Sequence, residues 1–317
     1  MFQTEITRRG ALQTLAAGAA TFAISARADH HQARMTINLM CGMIGVQANQ
    51  REAVELAARH GFDSVEAMSG DLARMSKEEL NDLLASMKEK KVVFGAAGLP
   101  VDFRGASAKF DSDLAGLPRL ADGLERAGVK RVGTWLMPGH NTLTYRQNFS
   151  QHAERLRRVA EVLRDRGLRL GLEFVGTKTL RDRFRYQFVY TMAETKELIQ
   201  EIGTGNVGLV MDSWHWWNAG DSVEDILALK GSEVVAVDLN DAPAGIPKEQ
   251  QQDGRRELPL ATGIIPVKEF LNALHKIGCD APVRAEPFNK ALNDLDNDAA
   301  CAKTAEALKR AFALIEA

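Results

Sequence analysis

From Met35 onward, short runs of apolar and β-branched residues alternate with longer segments in which apolar residues recur every three or four positions. MTINLM reads as a strand and NQREAVELAARHG as an amphipathic helix closed by glycine. DSVEAM then precedes SKEELNDLLASMKEKK, where Ser76 and Glu79 have the spacing of a capping box and predict a helix start. VVFGAAGLP leads to a helix predicted around 112–128, and VKRVGTWLMP to one over 149–166. LRLGLEFVG runs through a loop into MAETKELIQEIG, and NVGLVMDSW into SVEDILALKG. EVVAVDLND enters a long loop before PVKEFLNALHKIG, and PVRAEPFN precedes a last helix.

These are eight strand–helix pairs at intervals of roughly 25 to 40 residues, the length a βαβ unit needs. The strand runs are continuously apolar, as expected where both faces of a parallel sheet are covered. The pattern predicts a (β/α)8 TIM barrel. A doubly wound sheet would call for a glycine-rich phosphate turn after an early strand, and MCGMIG is not one. No linker interrupts the pattern, so residues 35–317 read as a single domain.

Composition narrows the partners. Of 317 residues, 45% are hydrophobic and 26% charged, with a net charge of −2, which offers no electrostatic footprint for a nucleic acid. Cys41, Cys279 and Cys301 lie far apart and form no zinc or disulfide pattern. The first 28 residues differ from the rest. Arg8 and Arg9 precede a mild apolar run and then Ala26-Arg27-Ala28, the parts of a twin-arginine-type export signal. The run is too short to span a membrane. We therefore expect cleavage after Ala28, a periplasmic location and no lasting membrane anchor.

The predicted strand ends carry acids: Glu66 on the second strand, Glu173 on the fifth, Asp212 on the sixth, Asp238 on the seventh and Glu286 on the eighth. Active sites of TIM barrels are built from such positions. Four carboxylates converging from strands 5 to 8 cannot all stay ionised without a compensating cation. The oxygen-rich set points to a divalent metal, Mn²⁺ first, with Mg²⁺, Co²⁺ or Zn²⁺ as alternatives. The competing reading is a set of separate loop acids, each paired with an arginine. His215 follows Asp212 by three residues and is expected over the same mouth, as a substrate contact or fifth ligand. Three of the 4 tryptophans, Trp214, Trp216 and Trp217, surround it. They read either as core or as a wall for the C–H face of a sugar.

The motifs LEFVG, GLVMDSWHWW, VDLNDAPAG and RAEPFN, in this order, resemble the xylose isomerase-like TIM barrel proteins. AAGLPVDFR and TLRDRFRYQFVYT are similar to the same group, which includes sugar phosphate isomerases/epimerases, ketose 3-epimerases, and inosose isomerases and dehydratases. The resemblance implies a metal-dependent sugar isomerase or epimerase working through an enediolate. Glu173, Asp212, Asp238 and Glu286 would be the metal ligands, and Glu173 and Glu286 the acid/base pair. His215, Asn240, Asp241, Arg256, Trp214 and Glu66 would contact a small carbohydrate, with Arg104 and Arg183 as further contacts. Two departures stand out. Asp238 occupies a place where relatives have histidine, and Ala261 and Thr262 fall where they tend to have glycine and glutamate.

Three other readings share parts of this pattern. A lyase or hydrolase of 3-keto-glycosides would use the same metal and carbanion. A non-catalytic periplasmic sugar-binding protein would not need two proton-transfer glutamates. The abasic-site endonuclease branch requires a histidine-rich zinc cluster, whereas His30, His31, His60, His152 and His275 fall near the export segment or on predicted helices, and besides His215 only His140, after the fourth strand, could add a ligand. Whether copies of the chain associate is left open.

Overall fold

The eight apolar runs form eight parallel strand positions that close on one another. The computed structural model describes residues 35–316, so the export signal expected at 1–28 lies outside the described residues. The strands are β1 (Thr36–Leu39), β2 (Ser64–Val65), β3 (two pieces, Val93–Phe94 and Ala96–Gly98), β4 (Arg131–Trp135), β5 (Arg169–Glu173), β6 (Val207–Asp212), β7 (Val234–Asp238) and β8 (Pro282–Arg284). β1 pairs with both β2 and β8, which brings the two ends of the sheet together. The one jog is in β3, whose first piece pairs with β2 and whose second pairs with β4. Gly95 makes it possible, because a Cβ there would lie 2.1 Å from Asn38 Oδ1.

Inside the barrel the side chains are small. Ala96, Val210 and Ala236 form a buried cluster of their own, and a Cβ on Gly171 would meet Val210 Cγ2 at 2.7 Å. Strand side chains alternate with period two. Two residues further on, Glu173, Asp212 and Asp238 therefore point the same way as Gly171, Val210 and Ala236, into the next layer towards the mouth. The barrel's packed floor thus dictates an acidic ceiling. Outside, amphipathic helices cover the strands with residues such as Leu80, Leu83 and Met87, or Leu156, Val159 and Leu163, all in one continuous core. The Ser76–Glu79 capping box forms as expected.

Several elements differ from the sequence pattern for local reasons. SWHWWNA is a helix, Ser213–Ala219, leaving β6 without a loop because the Asp212 side chain caps it through the Trp214 N–H. The helix expected from 149 begins at Tyr145, behind a Thr144–Gln147 capping box. The helix expected from 112 spans Ser107–Arg126 and accommodates Pro118. A two-stranded antiparallel ribbon pairs Gly139–His140, after β4, with Tyr186–Gln187, after β5. Among the described residues no helix is long and apolar enough to cross a membrane.

Candidate active site at the barrel mouth

Glu173, Asp212 and Asp238 are the last residues of β5, β6 and β7, and Glu286 lies two residues past β8. All four are buried. Single oxygens of Glu173, Asp238 and Glu286 lie within 4.8 Å of one another, as do donor atoms of Glu173, Asp212 and His215. The four strand ends and the histidine thus converge on one small volume.

Two guanidiniums share that volume. Arg256, 2% exposed, reaches in from the long loop after β7. Its Nη1 donates to Asp212 Oδ2 and to Glu286 Oε2, both at 2.8 Å. Its Nη2 donates to Asp253 Oδ1 at 3.0 Å and lies 3.1 Å from His215 Nε2. Arg284, in register with Asp238 across β7 and β8, donates from Nε to Asp238 Oδ1 and from Nη2 to Asp238 Oδ2, the latter at 2.9 Å. The sequence reading missed Arg284. The available signal was parity: Arg284 stands two residues before Glu286, so both face inward.

Burial pushes Glu173 well above the usual carboxylate range, reinforced by the charges of Glu286, Asp238 and Asp212. Burial likewise raises Glu286 to about 8 and Asp212 to about 6, with Arg256 opposing both. Burial also drops His215 to about 3, helped by Arg256, so its ring is neutral. Although burial works against it, Arg256 is held firmly charged by Asp212, Glu286 and Asp253.

These residues fit a divalent cation. Glu173 Oε1 is buried with no hydrogen-bond partner, an orphan acceptor of the kind a metal satisfies. With all acids ionised, five carboxylates, Asp253 included, against two guanidiniums leave three negative charges uncompensated. His215 faces N–H donors at both ring nitrogens, Gly176 N at 3.3 Å and Arg256 Nη2 at 3.1 Å, yet a neutral imidazole can accept at only one. With Gly176 N–H donating to Nδ1, the ring proton sits on Nε2, so the ring is placed to donate to a ligand and the carboxylates are left to hold the cation.

A stability prediction follows from the acids. A carboxyl whose folded pKa is raised favours the folded state below its unfolded pKa, and that contribution is lost as pH rises through the folded value. For Glu286 the window runs from 4.5 to about 8. Chelator-treated protein is therefore expected to show a urea midpoint that falls between pH 5 and 8.5, and Mn²⁺ to reverse the fall while releasing protons on binding. A midpoint of metal-free protein that rises across this range would contradict the site as described.

The other residues singled out by sequence take these places. Asn240 is fully buried, donating from Nδ2 to Asp212 Oδ1 at 3.0 Å and accepting the Glu286 N–H at 2.9 Å. Asp241 is equally buried, and its carboxylate accepts the backbone N–H groups of Ala242, Thr262, Gly263 and Ile265. Trp214 is buried with its indole donating to Thr177 Oγ1, and the Arg256 guanidinium lies 5.5 Å from its ring. Glu66 accepts the Cys41 N–H. Arg183 is exposed. Arg104 donates to Thr134 Oγ1 at 2.9 Å and lies 4.1 Å from the Trp135 ring. The open aromatic faces belong to two residues that sequence did not single out, Trp135 (40% exposed), which ends β4, and Phe288 (38% exposed), two residues past Glu286. Phe288 has a φ of 43°, a left-handed conformation unfavourable for a bulky side chain, and its ring lies 4.7 Å from the Arg256 guanidinium.

Fold and site together define a parallel β/α barrel with an acidic, arginine-braced mouth whose carboxylates are close enough together to hold a cation. The chain belongs to the xylose isomerase-like TIM barrel family, whose sequence profile matches residues 54–311. It is 24% identical to an inosose isomerase of Bacillus velezensis over 76% of this chain and 84% of that one. It is 23% identical to a D-psicose 3-epimerase of Ruminiclostridium cellulolyticum over 76% and 79%. The crystal structure of a xylose isomerase domain protein from Alicyclobacillus acidocaldarius superposes with a TM-score of 0.77 at 30% identity, covering 89% of this chain and 99% of that one.

Proposed function

We propose that this protein is a divalent-metal-dependent sugar isomerase or epimerase that moves a proton at a carbon next to a carbonyl. The observation that carries the reading is the pair of buried glutamates, Glu173 and Glu286, with carboxylate oxygens within 4.8 Å of each other and both pushed above the usual carboxylate range by burial, Glu286 to about 8. A group that takes and returns protons works best with a pKa near the working pH. Glu286 meets that condition, and Glu173 is shifted in the same direction.

Glu173, Asp212, Asp238 and Glu286 would hold the metal, Asp238 while keeping its bonds to Arg284, since each carboxylate oxygen has two lone pairs. Mn²⁺ suits this hard oxygen set best. When bound, the metal would polarise the carbonyl and so acidify the neighbouring C–H. The chain's own residues supply the rest. One glutamate accepts the proton and the other returns it. Arg256, clamped by Asp253, is a fixed positive charge beside the developing enediolate. Neutral His215 is a hydrogen-bond partner for a hydroxyl, and Asn240 holds Asp212 and the Glu286 backbone in register. Asp241 shapes the loop that carries Arg256. Trp214 backs the Arg256 guanidinium. Trp135 and Phe288 offer the apolar faces for sugar C–H groups. Incorporation of solvent deuterium into ketoses, aldoses and inososes tests the reading; no exchange into any of them with Mn²⁺ present would refute it.

We further propose export to the periplasm through residues 1–28. N-terminal sequencing of mature protein is expected to begin at Asp29; soluble cytoplasmic protein that retains Met1 would reject the idea.

A further inference from the structure

A second pocket of about 360 Å³ opens beside the mouth, between the segment after β3, the segment 137–141 after β4 and the helix Tyr145–Arg164. Its volume is roughly ten times the share of one water in the liquid and falls within the range of small-molecule sites. Two side chains that line it are only 2% exposed yet carry an unpartnered atom, Asn148 Oδ1 and His152 Nε2. His152 Nδ1 lies 2.9 Å from the Asn148 carbonyl oxygen. A carbonyl can only accept, so Nδ1 carries the ring proton and Nε2 presents a bare lone pair. Both orphans are therefore acceptors, and they call for a ligand that brings O–H donors.

The opposite side of the pocket supplies the complement. His140 Nδ1 accepts the backbone N–H groups of Thr142 and Leu143 at 3.0 and 2.8 Å, so in the neutral ring Nε2–H is the free donor. Phe184 packs over Gly139, where a Cβ would lie 2.5 Å from its ring; only glycine lets this aromatic lid the pocket so closely. Arg104 connects the pocket to the reaction centre. It lines the pocket, lies against the exposed Trp135 ring, and Trp135 is in register with Glu173. The pocket therefore starts one side chain away from a proposed proton-transfer group.

We propose that this pocket is a second sugar subsite, so that the substrate is a glycoside or oligosaccharide whose reacting ring lies at the acidic mouth and whose next ring donates hydroxyls to His152 Nε2 and Asn148 Oδ1. Acceptors, a donor and an aromatic ring around one cavity are what a polyhydroxylated ring requires, and Arg104 and Asp102, which also line it, add one charge of each sign and so favour a neutral ligand. The inference rests on the isomerase/epimerase reading for which ring reacts, but the subsite can be tested without turnover.

The test uses mature protein carrying ¹⁵N-histidine, with glucose, cellobiose, maltose and trehalose as probes. At least one disaccharide is expected to shift the His152 Nε2 resonance and to bind at least tenfold more tightly than glucose. Asn148→Leu is expected to bring that preference down towards unity. If no disaccharide exceeds glucose and the Nε2 resonance stays at its water-bonded value with every probe, the pocket holds water only and the inference is overturned. Absence of deuterium exchange into any sugar would instead count against the proposed reaction and leave these binding results to decide the subsite separately.

Discussion

Glutamine at position 173 or 286 will abolish net isomerisation or epimerisation while leaving the barrel folded. Each substitution keeps the shape of the side chain and removes its ability to hold and release a proton. A positioned general base contributes about 10²–10⁴ in rate. A fall of at least ~10³ in turnover is expected for either variant, because a proton taken by one glutamate can no longer be returned by the other, while the remaining glutamate can still exchange solvent deuterium at the carbon it faces. Stability should not fall. Burial has already pushed both carboxyls up, Glu286 to about 8, so folding costs either an unfavourable charge or a bound proton there and a neutral amide avoids both, while Arg256 keeps Asp212 and Asp253 as partners. Chelated Glu286→Gln should unfold at the same temperature as chelated wild type or a higher one, and its dependence on pH between 5 and 8.5 should flatten. Turnover within tenfold of wild type in either variant would show that the proton travels by another route, and His215 would be next to examine.

The barrel was legible in the sequence because its strand period and helix period differ so sharply, and because a parallel barrel buries both strand faces. Strand ends were legible for the same reason: Glu173, Asp212 and Asp238 interrupt apolar runs where the packed interior stops. What the sequence did not disclose was which atoms occupy each other's hydrogen bonds. Asp241 looks like Asp238 as text, three positions along, yet one is consumed by four loop amides and the other by an arginine on the next strand. The tryptophans of SWHWWNA mark the site by position, but Trp214 and Trp216 are packed inside. The aromatic faces that stay open, Trp135 and Phe288, were hidden among ordinary strand-end residues. Loop reach was also invisible: nothing in the spacing of Arg256 says that it folds back between Asp212 and Glu286. The second pocket depends on contacts between the Tyr145–Arg164 helix and two loops, a tertiary arrangement without a local signature.

Exchanging Asp238 for histidine will destabilise the protein unless Arg284 is changed with it. Taken alone, the aspartate adds a negative charge to the site and removes a nitrogen donor, which would weaken the metal as a Lewis acid. The structure changes that account, because Arg284 binds both oxygens of Asp238 and returns the charge that Asp238 adds. Asp238 with Arg284 therefore has the same net charge as a neutral histidine beside a neutral neighbour. The two residues behave as one unit. In Asp238→His the guanidinium of Arg284 stays buried without its carboxylate, and breaking such a pair costs about 3–5 kcal/mol, on the order of 6–15 °C in Tm for a domain of this size. Zinc affinity should rise little in that variant, since the charged neighbour repels the cation. In Asp238→His/Arg284→Met the unpaired charge is gone. At least half of the lost stability should return, and the preference for Zn²⁺ over Mn²⁺ should increase tenfold or more, as an imidazole ligand favours zinc. Thermal unfolding of the wild type, both single variants and the double variant yields the coupling directly, and competitive metal binding on the same four proteins yields the preference. If Asp238→His alone is as stable as the wild type and takes up zinc, Arg284 is not its obligatory partner and the pair is incidental to the site.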